Sequence, residues 1–206
     1  MQRPDTLPAQ LFLLAVDPAR RRLTGRSELG YVLRAAALVD LQLTGHLADD
    51  GGRPKAAGNP EPPDPALDPV LRQVTAEPGR RWSYWVRKDA RRAISMVRDQ
   101  LVAGRRIELQ PYRILGLVPA RRIIVLEPFG RDRIVGAIEA ALGDGWPVGA
   151  RTAALVALAA TARMRTVLPA GRRRAHRDRI AQLTARTGPV PKVLRKVLRD
   201  LRAAAG

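Results

Sequence analysis

TAALVALAATARMRTVL, residues 152–168, is an alanine-rich run in which few positions suit water. Alanine is the best helix former and loses no side-chain entropy on ordering, so the run predicts a helix lying centrally and mostly buried. PAQLFLLAV, residues 8–16, is apolar almost all the way round and predicts a second, shorter buried helix. Thr6 is placed to cap it, and Asp17 and Pro18 to end it. No unbroken apolar run in the sequence approaches the ~18 to 20 residues of a membrane span, so the rest of the chain has to cover both helices. At 206 residues the chain is long enough to do so in one core.

The covering elements are also mostly helical. ELGYVLRAAALVDLQLTGHL, residues 28–47, predicts an amphipathic helix over about 28–44, with Ser27 as N-cap and Gly45 as the residue beyond its end. HLADDGGRPKAAG carries the turn signal DDGG and predicts a small hairpin. Five prolines in NPEPPDPALDP rule out a regular element there. DPVLRQVTAE predicts a short helix, with Asp68 as cap and Pro69 at its first position. RRWSYWVRKDARRAISMVRDQLVAG predicts two helical pieces, with Asp89 capping the second, whose apolar stripe is Ala90, Ala93, Ile94, Val97 and Leu101.

The period then changes. IEL, YRILGLV and RRIIVLE are β-prone segments separated by Pro111 and Pro119, consistent with a hairpin or small meander. Residues 130–142 return to a helical pattern, GDGWPVG is a loop, and RRRAHRDRIAQLTART and VPKVLRKVLRDLRAA close the chain as two basic helices. The fold class expected is mainly α: a compact single multi-helix domain over 1–206 with peripheral β-hairpins, in which 1–5 and 59–68 are loose or exposed loop.

No catalytic constellation stands out. The chain has no cysteine, its only histidines are His46 and His176, and it has no HExxH, phosphate-loop or nucleophile-elbow motif. Gly143, Gly145 and Gly149 lack the Lys and Ser/Thr of a phosphate loop and read as an interhelical connection. Both histidines read as surface or capping residues. The expectation is a non-enzymatic protein without cofactor or metal. The start MQRPDTLPAQ has no charged-then-apolar layout, so a cytoplasmic location is expected, soluble or peripheral to the inner face of the cell membrane.

A net charge of +18 draws the chain towards polyanions, either nucleic acid or an anionic lipid surface. Only Lys55, Lys88, Lys192 and Lys196 are lysines; with so much alanine, glycine and proline, the arginine excess partly reflects a GC-rich coding bias. Trp82 and Trp85, three apart, share a helix face that either packs on the core or, flanked by Arg80, Arg81, Arg87 and Lys88, faces a membrane or stacks on bases. In the last helix, Val193, Leu194, Val197, Leu198 and Leu201 form a stripe opposite Lys192, Arg195, Lys196, Arg199 and Arg202. The stripe either docks on the body or lies on anionic lipid. Arg34 stands among apolar neighbours and has two uses as well: pairing within the fold, or gripping a phosphate with its planar fork. Asp40, on the same helix, is not an obvious partner for it.

LRAAALVDLQLTGHL, residues 33–47, resembles the signature helix of the Golgi phosphoprotein 3 family. Arginine follows leucine, then come small residues, a leucine–acidic–leucine pattern and a closing glycine. LPAQLFLLAVD resembles that family's opening helix, VRDQLVAGRRI a later helix end, residues 107–126 its β-hairpin, and TAALVALAATARM a later buried helix. The alanine- and arginine-rich idiom is similar to its bacterial, actinobacterial-like members. The resemblance implies a mainly helical domain that binds phosphatidylinositol 4-phosphate at a membrane surface; eukaryotic members act as adaptors for Golgi glycosyltransferases. The family pocket uses a tryptophan, the signature arginine and two later arginines three residues apart. Arg34 matches the signature arginine, Gly25 stands where the tryptophan is, Arg91 matches one later arginine, and Ile94 stands at the other, with Arg92 close by.

The expected function is therefore peripheral membrane binding through anionic, phosphoinositide-like head groups. Arg34 and Arg91 would contact phosphate, Arg92 and Arg26 would assist, and a hairpin tip with Ile114, Leu115, Leu117 and Val118 would contact the membrane or a second copy. The alternatives are a nucleic-acid-binding protein driven by charge, in which small hairpins imitate a winged architecture, and a protein–protein adaptor.

Overall fold

The computed structural model describes residues 6–59, 61, 63–114, 117–126, 128–143 and 147–204. Helix α1, Leu7–Ala15, begins where Thr6 accepts the Ala9 amide, as its sequence predicts, and nearly every residue in it is buried. Its neighbours are α2 (Arg26–Leu43), α5 (Ala90–Ala103), α6 (Pro128–Leu142) and α7 (Ala150–Thr161). A helix without a polar face is stable only when surrounded, and these four supply the surroundings. The other helices are α3 (Asp68–Ala76), α4 (Trp82–Arg87), α8 (Ala170–Ala175), α9 (Arg177–Ala185) and α10 (Val190–Ala203). One continuous apolar cluster runs from α1 to α10, with Phe12, Leu33, Trp85, Ile138 and Leu158 among its members. The mainly helical expectation holds.

Among the described residues strands occur only as small antiparallel pairs: β1 (Val16–Asp17) with β2 (Arg22–Leu23), β3 (Leu47–Asp50) with β4 (Arg53–Ala56), and β5 (Ile107–Ile114) with β6 (Val118–Val125). In the second pair Gly51 and Gly52 both have positive φ, the backbone that a two-residue hairpin turn of this hand requires. The third pair is a single hairpin rather than three segments, and Pro111 and Pro119 lie inside its strands. Proline is tolerated there because, by register with Ile123, both prolines stand at positions whose N–H would point out of the pair and not across it. Ile107 and Ile123 bury the base of this hairpin, and the Ile123 amide donates to the Arg21 carbonyl at 2.8 Å.

Several boundaries differ from the sequence reading, each for a local reason. Helix α2 starts at Arg26, one residue before Ser27; Gly25 occupies the cap position in a left-handed conformation with no side-chain cap. At its other end Gly45 closes the helix as predicted, its amide and that of His46 reaching back to the Gln42 and Leu41 carbonyls. Asp68 is the first residue of α3, not its cap, and Leu67 precedes it. Helix α7 ends at Thr161, not 168. Arg163 takes a left-handed φ of 52°, and the Arg163 and Met164 amides return to the Ala160 and Ala159 carbonyls, which stops the helix. The predicted basic helix after residue 170 is two, broken at His176.

The close approach of α2 and α5 depends on Gly30. A Cβ there would come within 1.9 Å of the Ala90 carbonyl oxygen, whereas one on Gly136 of α6 would meet nothing within 4 Å. Gly30→Ala should therefore force the two helices apart and cost about 1–3 kcal/mol, the usual range for overpacking. Gly136→Ala should stabilise by roughly 0.5–1 kcal/mol through helix propensity alone. Urea unfolding followed by circular dichroism measures both; equal midpoint shifts would mean that the Gly30 contact does not limit the packing.

Candidate functional site

The α2–α5 contact positions the predicted site. Arg34 lies one helical turn beyond Gly30, and Arg91 and Arg92 follow Ala90, the residue against which Gly30 packs. The arginines of this site meet different fates. Arg34 is only 3% exposed, while Arg91, Arg92 and Arg26 are in solvent. The guanidinium of Arg34 turns into the body. Its Nε donates to the Trp85 carbonyl of α4 at 3.3 Å and its Nη2 to Gln73 Oε1 of α3 at 3.0 Å.

Gln73 passes the connection on, since its Nε2 donates to Asp89 Oδ2 at 2.9 Å. Asp89 stands at the N-cap position of α5 as its sequence predicts, but its backbone is left-handed at φ 55°, its side chain makes no cap bond, and its carboxylate serves Gln73. Burial pushes the Arg34 pKa down to about 10, and the Asp89 charge acts the other way, so the side chain stays cationic at neutral pH. Gln73 and Asp89 escape a sequence reading because their roles arise only when α3, α4 and α5 meet around α2. The one advance signal is an arginine on an apolar helix face, which demands acceptors from elsewhere in the fold.

Beside this network α2, α3 and α5 enclose a largely apolar cavity of ≈ 290 Å³, with Arg34 in its wall and Leu33, Val70, Val97 and Met96 among its apolar lining. Met96 is exposed at 45% and marks the cavity's rim. Arg92 precedes Met96 by four residues on α5, one helical turn away. Of the four predicted site arginines Arg34 lines the cavity, whereas Arg91, Arg92 and Arg26 are not among its lining.

The other expected features separate clearly. Trp82 and Trp85 are buried in the core, and Trp82 Nε1 donates to Asp49 of β3, which holds that hairpin against α4. Tyr84 is half-buried and donates to Glu77 at 2.8 Å. The apolar stripe of α10 is docked on the body, with Leu194, Val197 and Leu198 buried; Arg202 makes a paired bond to Glu28 at 2.6 and 2.8 Å, and Arg87 reaches Asp200 at 2.8 Å. Its stripe is therefore not available to lie on lipid. His46 is buried, not on the surface: its ring bonds to Thr44 Oγ1 through Nδ1 and to the Glu61 carbonyl through Nε2, both at 2.8 Å. Leu117, at the hairpin tip, is 85% exposed; Leu115 and the side chains of Ile114 and Val118 lie outside the described residues. Among the described residues no group of His, Asp and Glu is arranged to hold a metal ion, and no helix is long and apolar enough to cross a membrane.

A family model described as Golgi phosphoprotein 3 matches residues 7–201, nearly the whole chain, from the start of α1 into the last turn of α10. No curated protein matches significantly.

The two kinds of arginine should respond differently to replacement. Arg34→Met leaves the Gln73 and Trp85 acceptors unsatisfied in the interior and should lower stability by about 1–3 kcal/mol. Arg91→Gln and Arg92→Gln, in solvent, should stay within about 0.5 kcal/mol of the parent. Chemical denaturation of the three variants checks this; an Arg34→Met protein as stable as the parent would show that the network carries no structural weight.

Proposed function

Because this chain belongs to the Golgi phosphoprotein 3 family, we propose that it is a peripheral membrane protein that binds anionic lipid head groups, with a phosphoinositide-like monophosphate as the preferred one. The role is binding rather than catalysis. What carries the reading is the α2–α5 opening: an apolar cavity with cationic Arg34 in its wall, Met96 at its rim, and Arg92 one turn away in solvent. A ligand with both an apolar and an anionic part suits such an opening better than a simple ion does. Arg91 and Arg92 supply flexible cations at the surface. Arg34, held by Gln73 and the Trp85 carbonyl, shapes the wall and contributes its field from inside.

The remaining charge helps without selecting. At about 1 kcal/mol for each basic residue near an anionic leaflet, a handful of surface arginines brings the chain to the membrane. The exposed Leu117 at the β5–β6 tip adds an apolar contact of the kind that enters the interface. Gly25 stands where the family has a tryptophan, so head-group contact in this chain relies on the arginines and not on an aromatic ring.

Vesicle co-sedimentation at physiological salt tests the proposal, using phosphatidylinositol 4-phosphate, unphosphorylated phosphatidylinositol and charge-matched phosphatidylserine. The parent should prefer the monophosphate lipid. Arg91→Gln/Arg92→Gln should reduce that preference at least five-fold, while Arg195→Gln/Lys196→Gln, which removes the same charge from the outer face of α10, should reduce it less than two-fold. Equal binding to every anionic surface and to duplex DNA, or equal losses in the two variants, would overturn the proposal in favour of unselective polyanion attraction.

A further inference from the structure

On the opposite side of α2 lies a larger cleft of ≈ 740 Å³, between the start of that helix, the turn after α7 and the first turn of α8. Glu28 and Val32 of α2 face this cleft, whereas Gly30 and Arg34 face α5. At 100° per residue the two sets point in nearly opposite directions, so the cleft is distinct from the opening that Arg34 borders.

Its charges do not balance. Two carboxylates line it, and both are engaged. Glu28 is held by Nε and Nη2 of Arg202, and Asp17 accepts the Ala19 and Arg20 amides at 2.9 and 3.0 Å with the Arg20 guanidinium at 3.9 Å. Arg163, Arg165 and Arg173 line the same cleft, and none of them pairs with a carboxylate of any described residue. Arg173 is half-buried and fixed, its Nη1 donating to the Leu168 carbonyl at 2.7 Å. Partial burial lowers its pKa, and the charges of Arg163, Arg165 and Arg174 lower it further. The turn that carries Arg163 and Arg165 is itself anchored, with Thr166 donating to the Leu14 carbonyl of α1 at 2.6 Å. The uncapped start of α2 adds the positive end of an 18-residue helix to the same space.

We propose that this cleft is a phosphate site: Arg163, Arg165 and Arg173 hold a multiply charged phosphate group, which supplies the negative charge the cleft lacks. Planar guanidinium forks match phosphate oxygens in pairs, and three forks on the wall of one cleft favour a dianion over a monoanion. The group belongs either to a phosphomonoester lipid or to a soluble phosphorylated compound. Arg163 and Arg165 reach the cleft because α7 stops at Thr161; in a helix continued to 168 they would lie about 200° apart.

The test uses the full chain, with inorganic pyrophosphate as soluble probe in isothermal titration at physiological salt. Arg163→Gly/Arg165→Gln removes two cations, and glycine suits the left-handed position of residue 163, so the variant is expected to fold. Arg173→Gln removes the fixed one. The expected result is saturable one-to-one binding, weakened at least ten-fold in each variant and less than two-fold in Arg195→Gln/Lys196→Gln. Absence of saturable binding, or equal weakening in the α10 control, overturns the site. Sedimentation with phosphatidic acid vesicles then separates the sources. A parallel loss in the cleft variants supports a lipid phosphomonoester, and unchanged sedimentation beside lost pyrophosphate binding supports a soluble ligand. Because pyrophosphate needs no membrane, failure in this titration leaves the reading at Arg91 and Arg92 untouched, and failure of vesicle binding there leaves the cleft standing.

Discussion

The carboxylate of Asp40 joins three of the central helices. It projects from the middle of α2 with no exposure to solvent, accepts the Leu7 amide at the start of α1 at 2.7 Å, and takes two bonds from Arg151 of α7 at 2.5 and 3.3 Å. Burial pushes the Asp40 pKa up, and the Leu7 amide and the Arg151 guanidinium counter that push. A buried ionic cluster of this kind is weak as a source of net stability, yet removing one member leaves a charge stranded. Its effect is directional. Apolar packing alone tolerates sliding of α1 along α2, whereas a bond from the first amide of α1 sets their register.

With α1 and α7 held on one side of α2, its other faces determine what the surface offers. The Gly30 face admits the α5 backbone and leaves Arg34 at a three-helix junction, where Gln73 and the Trp85 carbonyl satisfy it. The Glu28 face meets α10 through Arg202 and opens into the arginine-lined cleft. A single helix thus organises an apolar opening with Arg34 in its wall and a separate cleft lined by several arginines. The +18 charge is consequently not one uniform coat: part is internally paired, part is solvated, and part lines one cleft without pairing to a carboxylate of the described residues.

Much of this was legible from local pattern. Apolar periodicity identifies α2, α5 and α10, all-round apolar or alanine-rich runs identify α1 and α7, DDGG identifies the β3–β4 hairpin, and Gly45 the end of α2, because each reflects interactions within a few residues. The candidate site was legible only as positions. The signature helix points to Arg34, but no local rule says whether its guanidinium faces in or out. The donor to Asp40 is Arg151, 111 residues away, and the acceptor for Arg34 is Gln73, 39 residues away, so neither pairing leaves a periodic trace. Arg163 ends α7 in a conformation usually given to glycine, and that choice defeats an alanine-based extension of the helix to 168.

The sequence by itself determined the mainly helical class, the small hairpins, the large positive charge and the resemblance that assigns the family, since these depend on composition and short-range order. Tertiary structure alone decided which arginines are structural and which meet solvent. It also decided that the α10 stripe is covered and that Arg163, Arg165 and Arg173 share one cleft. The physical reason is that a charge's role depends on its distance to other charges and to water. For residues far apart in the chain those distances exist only once the helices have packed.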